Sequence, residues 1–387
     1  MSVWGELAGQ GEAVAALRSA AERTATGEPN RGMTHAWLIT GPPGSGRSNL
    51  AYAFATALLS SGDAAGDEST RRQVAARTHP DLGSLSTEGV IITIDAVRSL
   101  VMSSNYSPSV SRYRVMIIED ADRMRESASN VLLKALEEPP PRTVWILCAP
   151  SEADLLPTIR SRTRSVRLRV PAVDDVAALI MRREGVDEQT ATRAAREAQS
   201  HIGMARRLAT NPEARERRDS TLRLALGVRS VSQAVLGAAT LFELATADAA
   251  AMSEELDARE RENALRSLGV APGATVPLAL RSQIKFLDDE QKRRKTRVLR
   301  DGIDRIMVDL LSLYRDILLL QMGADVELIN LSIRELLVEA SCAATAEQTI
   351  ATMDAIAEAR GRLGGNIAPT LALEAMLISA VRRGVSH

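Results

Sequence analysis

The sequence predicts a mainly parallel α/β domain on the N-terminal side, followed by a long all-helical region. Three observations carry this. Short apolar runs alternate with helical patterns as far as about residue 170. A glycine-rich turn follows the first of these runs and opens a helix. After Pro171 the strand-like runs stop, and apolar residues recur at helical spacing to the end of the chain. Buried parallel strands read as continuous apolar runs joined by helical crossovers, whereas amphipathic helices show the 3.6-residue repeat.

In chain order, a helix is predicted over residues 13–20 and a strand over Ala36–Thr40 (AWLIT), which runs into a glycine turn and a helix over 48–59. Residues 60–77 are polar, contain glycine and show no period, and are expected to form a surface loop or a reduced insertion. Strands are predicted at Arg114–Ile118 (RVMII), 144–148 (VWILC) and 166–170 (VRLRV), with a helix over 127–138 between the first two. Two or three short helices are expected in 174–209. Farther on, Ile303, Ile306, Met307, Leu310, Leu313, Tyr314, Ile317 and Leu318 form an apolar stripe of the kind that lines a bundle core. Residues 268–280 break the helical pattern with Gly and Pro and are expected to be a mobile connection. The cluster Lys292–Lys295 (KRRK) reads as a solvated helix face, with nucleic-acid contact as the alternative.

With 387 residues the chain is long enough for two or three domains, and 45% apolar residues can fill a sizeable interior. Aromatics make up only 3%, which favours helices over β-sandwiches. The formal net charge of −1 argues against a protein that holds DNA alone, because such proteins are strongly basic. Two cysteines, Cys148 and Cys342, lie far apart without metal-ligand spacing, and both are expected to be buried free thiols. No stretch is expected to span a membrane and the first eleven residues lack a signal-peptide core, so a cytoplasmic protein is expected.

Residues 41–48 (GPPGSGRS) have the spacing of a Walker A loop in its proper strand–turn–helix context. Gly41, Gly44 and Gly46 allow backbone N–H groups to turn toward phosphate, and Ser48 stands where the Mg²⁺ ligand belongs. The position of the phosphate-binding lysine, however, holds Arg47, whose planar guanidinium does not replace a compact ammonium. The second motif is altered as well. A strand of the Walker B type ends in Asp-Glu, one acid for Mg²⁺ and one to orient the attacking water. Here the order is reversed as Glu119-Asp120, so each carboxylate is displaced by a methylene from its task. The plainer reading is that these acids cap the following helix. Intrinsic ATP hydrolysis is not expected, and nucleotide binding is expected to be weak or absent.

Arg160, Arg162 and Arg164 follow the VWILC strand. An arginine so placed can reach a neighbouring subunit's γ-phosphate, although three arginines at a period of two also describe a solvated face.

Residues 130–140 (NVLLKALEEPP) resemble the NALLKTLEEPP helix of bacterial DNA polymerase III clamp-loader subunits, an AAA+ family. Residues 156–162 (LPTIRSR) resemble that family's Ser-Arg-Cys segment, Gly9-Gln10 its N-terminal start, and residues 365–374 its last collar helix. The resemblance implies a RecA-like AAA+ core over 1–170, a small helical lid over 171–215 and a helical collar over 216–387. Broken Walker motifs imply the delta-prime type, which donates an arginine finger in trans; the matching residue is Arg162, with Thr163 in place of the usual cysteine. The implied partners are the motor (tau/gamma) and delta subunits in a hetero-oligomeric ring, with the sliding clamp and primed DNA reached through the complex. Relatives carry a four-cysteine zinc module before the Walker B strand, whereas residues 60–77 contain no cysteine, so no zinc is expected. His79-Pro80-Asp81 resembles the end of that module. The competing reading is an autonomous AAA+ ATPase of the helicase-loader or branch-migration type that tolerates arginine in its P-loop.

Overall fold

The computed structural model describes residues 3–22, 32–62, 64–86, 91–267, 281–363 and 367–384. The connection expected at 268–280 lies outside these residues, as do Gly365 and Asn366 of the segment matched to the last collar helix. The chain divides into two compact units, Met1–Thr210 and Asn211–His387.

The first unit is built on five strands: β1 (Ala36–Thr40), β2 (Leu82–Leu85), β3 (Arg114–Ile118), β4 (Thr143–Ala149) and β5 (Arg164–Arg167). Their order across the sheet is β2-β3-β4-β1-β5, and every pair is parallel. Ile39 on β1 is aligned with Cys148 on β4 and with Val166 on β5. Strand side chains alternate between two apolar layers, as the pleat requires. Trp37, Ile39, Ile117 and Ile146 face helices α1 (Gly11–Ala21) and α2 (Arg47–Leu59), where they meet Leu17, Leu50 and Phe54. Leu38, Met116, Ile118 and Leu147 face α4 (Ile94–Ser104) and α5 (Glu126–Glu137), packing with Leu100 and Leu132. The predicted mainly parallel α/β core is therefore the observed one.

Three local expectations change. The stretch 60–77 is not an aperiodic loop but holds α3 (Ala64–Ala75), whose Val74 reaches the core. The last strand is Arg164–Arg167 rather than 166–170, because β1 beside it ends at Thr40. Cys342 is exposed on a helix of the second unit, while Cys148 is buried in β4. Helices α6 (Pro157–Arg160), α7 (Val173–Glu184), α8 (Glu188–Glu197) and α9 (Ile202–Thr210) complete the unit. The last three supply the short helices expected in 174–209.

The second unit is all-helical: α10 (Pro212–Gly227), α11 (Val231–Ser267), α12 (Arg281–Gln321), α13 (Arg334–Ala343), α14 (Ala346–Leu363) and α15 (Pro369–Gly384). The boundary expected between 215 and 216 falls inside α10. Asn211 caps that helix by accepting from the Ala214 N–H, and Pro212 occupies its first position, so a single rigid element starts there. The α12 stripe lines the core as expected, with Ile303, Met307, Leu310, Leu313 and Ile317 buried. Contrary to expectation, one stretch, Val231–Ala251 of α11, is long and apolar enough to cross a membrane by length and composition. Its Ala234, Ala238, Leu241 and Ala245 are buried in the bundle core. A buried polar knot ties α12 to the segment before α13. Asp316 accepts hydrogen bonds from the Ile329 and Asn330 N–H groups and from Asn330 Nδ2, and Arg218 donates to Asn330 Oδ1.

Candidate functional site

The glycine loop lies at the C-terminal end of β1, where β1 is flanked by β4 on one side and β5 on the other. Ligands of open α/β sheets bind at such a switch in strand order. Gly41 N–H donates to the Pro150 carbonyl at the end of β4, Ser45 N–H turns back to the Pro42 carbonyl, and Gly46 (φ +94°) leads into α2. Ser48 is half-buried in the first turn of α2. The segment before α9 closes on the loop from outside. Ile202 N–H donates to the Gly44 carbonyl at 3.1 Å, and the His201 ring packs on Gly44 so closely that an added Cβ would lie 2.2 Å from its Cγ. Only glycine, at φ +78°, fits there. Sequence reasoning missed His201, which carries no local signal.

Arg47 is half-buried, and its Nη1 is buried without a hydrogen-bond partner. Its charge reaches the end of β3. Burial first, and then the Asp120 charge, push the Asp122 carboxyl up, with Arg47 pulling the other way.

Glu119 and Asp120 follow β3, as the motif places them, but their surroundings differ from an open metal site. Glu119 Oε1 accepts from Tyr52 Oη on α2 and from Arg77 Nη2, both at 2.9 Å. Arg77 lies over the Tyr52 ring, 5.3 Å from its centroid. It is held in the left-handed region (φ +58°) and also donates to Ser86 Oγ. Burial first, then the Glu119 charge, push the Tyr52 hydroxyl far up, so it stays a donor. The carboxylate at the metal position is thus neutralised by a guanidinium delivered from the turn after α3. Arg77 sat in the stretch read as loop, and only the tertiary structure brings it to Glu119. Asp120 adopts φ +51°, a conformation Asp tolerates better than most residues.

Arg162 lies in the turn between α6 and β5. Its Nη1 donates to the Thr158 carbonyl (2.8 Å) and to Ser161 Oγ (3.1 Å), and its Nη2 pairs with Glu137 Oε1 (2.6 Å). The other two arginines of the run separate from it. Arg164 donates to the Gly32 carbonyl and covers the Trp37 ring, and Arg160 is exposed. Gln10 is a clamp within the first unit: its amide bonds both the carbonyl and the N–H of Arg169.

The His79-Pro80-Asp81 segment is a structural anchor. Asp81 is fully buried and accepts from the N–H groups of Ser109, Val110 and Ser111 and from Ser109 Oγ, fixing the loop that leads into β3. Burial pushes its carboxyl up, but these hydrogen bonds outweigh it and hold the carboxyl below the usual carboxylate range. Burial also lowers the neighbouring His79, whose Nδ1 accepts the Asp81 N–H. Among the described residues no group of three or more His, Cys, Asp or Glu side chains is arranged to hold a metal.

Residues 18–172 match the family model described as DNA polymerase III, delta subunit. DNA polymerase III subunit delta′ of Pseudomonas aeruginosa is 38% identical over 134 residues, covering 33% of this chain and 41% of that one. DNA polymerase III subunit gamma/tau of Mycobacterium bovis is 31% identical over 162 residues, covering 40% of this chain and 28% of that one. A solved gamma subunit-related protein of Thermotoga maritima aligns with 90% of this chain and 94% of its own, at 18% identity and a TM-score of 0.42. The chain spans less than half the length of each of these two curated relatives. Over that stretch the chain is similar to DNA polymerase III delta-prime subunits.

Proposed function

We propose, from the kinship of residues 18–172 with DNA polymerase III delta-prime subunits, that this chain is a non-hydrolysing clamp-loader subunit. In this reading it donates Arg162 in trans to a neighbouring ATPase subunit. Its partners would be the motor (tau/gamma) and delta subunits in a hetero-oligomeric ring, with the sliding clamp and primed DNA engaged through the complex in the cytoplasm. The second unit would be the collar that joins the ring, and residues 171–210 the lid.

The observation that carries the reading is the contrast between two charged groups. Glu119, at the metal position, is largely buried and paired with Arg77 and Tyr52, while Arg162, although paired with Glu137, is partly exposed. A Mg–nucleotide would have to displace the Arg77 guanidinium from that carboxylate and do without the P-loop lysine. These residues do not fit the group, so the chain is proposed to need no nucleotide; without cysteine in residues 60–77 it is proposed to need no zinc either. A guanidinium placed on a neighbour's γ-phosphate stabilises the charge spread over its oxygens, an effect of about 10³–10⁵ in rate for arginine fingers.

The test is DNA- and clamp-stimulated ATP turnover by a loader reconstituted with its motor subunits, comparing wild type with Arg162→Ala at matched complex size. A fall of tenfold or more, about 1.4 kcal/mol in barrier, is expected. Unchanged turnover with intact assembly would reduce Arg162 to a surface charge. Ser48-dependent ATP turnover by the isolated chain would instead establish an autonomous ATPase.

A further inference from the structure

We infer that Glu137 is a positioning residue for Arg162, holding its guanidinium in one orientation so that the remaining N–H donors face outward. The inference rests on the finger reading above. Three contacts fix the side chain. The Thr158 carbonyl, in α6, and Ser161 Oγ, in the turn after it, come from the segment that leads directly into Arg162. Glu137 belongs to a different element, the end of α5, and is the one contact of the three made from outside the segment 157–163 that carries Arg162.

Glu137 has no evident reason to be acidic on its own account. It is the last residue of α5, followed by Glu138, and carboxylates at a helix C-terminus oppose the helix dipole. The pair is also a poor stability device. Its side chains are 34% and 47% exposed, and exposed ion pairs contribute little to folding. What the pair does provide is order. Arginine has five N–H donors in a rigid fork. Nη1 is engaged by two acceptors and Nη2 by one, which leaves Nε–H and the second Nη2 hydrogen for an incoming phosphate oxygen. A long, rotamer-rich side chain that is already ordered loses less freedom when it engages, which is how preorganisation raises rate.

The experiment uses the reconstituted loader with Glu137→Ala, Glu137→Gln and Arg162→Ala in this chain. Glu137→Ala is expected to lower kcat about tenfold with the KM for ATP unchanged, because the nucleotide sits on the neighbour. Glu137→Gln keeps an acceptor oxygen in place and is expected to stay within about twofold of wild type, as preorganisation by geometry rather than charge requires. A second measurement is made on the full isolated chain, using the ¹⁵N relaxation of the Arg162 Nε–H. It is expected to be rigid in wild type and Glu137→Gln, and mobile in Glu137→Ala. Unchanged or raised turnover in Glu137→Ala, in a loader that Arg162→Ala does impair, overturns the positioning role and leaves the finger standing. A mobile Arg162 Nε–H in the wild-type chain overturns it as well. If Arg162→Ala has no effect, the finger reading itself fails.

Discussion

Asp81→Asn removes one negative charge from a fully buried site while keeping its shape, and its cost can be worked from the contacts. Oδ1 accepts Ser109 N–H at 2.6 Å and Ser109 Oγ at 2.9 Å, while Oδ2 accepts Val110 N–H at 2.8 Å and Ser111 N–H at 2.7 Å. An amide must turn its NH₂ toward one of these donor pairs. If it replaces Oδ2, two backbone N–H groups lose their acceptor at about 1–3 kcal/mol each. A loss of about 3 kcal/mol from the first unit is expected. All three tryptophans, Trp4, Trp37 and Trp145, lie in that unit, so fluorescence in urea follows its unfolding alone. With m of about 2 kcal/mol/M the midpoint should fall by about 1.5 M. The pH dependence follows from the sign of the shift. The folded carboxyl is held below its unfolded value of about 3.9, so its contribution is fully present above that pH and is lost as pH falls through the folded value. The gap between wild type and Asp81→Asn should therefore be flat near neutrality and close below about pH 4. A midpoint shift under about 0.3 M, or a gap that persists in acid, would refute the reasoning.

Gly44→Ala should destabilise the same unit by about 2–4 kcal/mol, from a Cβ at positive φ together with overlap on the His201 ring. His201→Ala in the Gly44→Ala background should recover at least about 1 kcal/mol by the same fluorescence assay, and strict additivity of the two changes would show that the contact does not matter. In the second unit, Asp316→Ala removes the acceptor shared by four donors and leaves the Ile329 and Asn330 backbone N–H groups without it, which should cost about 2–4 kcal/mol. The loss should appear as a lowered thermal midpoint in circular dichroism, with the tryptophan transition in urea unchanged. Cys342 should react with a thiol reagent in the native chain, whereas Cys148, whose thiol burial pushes far up, should react only after unfolding; two fast thiols in the folded protein would contradict this.

Much of the architecture is written locally and could be read without coordinates. The AWLIT, RVMII and VWILC runs became β1, β3 and β4 because a continuous apolar run between helical patterns has nowhere to go but a two-sided sheet. The α12 stripe packs where its 3.6-residue period pointed. Arg47 in the P-loop and the reversed Glu119-Asp120 pair were likewise visible, because a motif is a matter of residue type at fixed spacing. Strand β2 was not visible: LGSL is short and weakly apolar, and its Gly83 is there so that Met116 can approach. Nor was α3, whose polar sequence is helical with little apolar face to announce it. The partners of the site residues were hidden altogether. Arg77 on Glu119, His201 on Gly44 and Glu137 on Arg162 each join positions far apart in the chain. Sequence determines which groups are available and which face of an element each occupies. Which of them meet is decided by how helices and strands pack, since an ion pair or a van der Waals contact depends on separations of a few ångströms that no local pattern encodes.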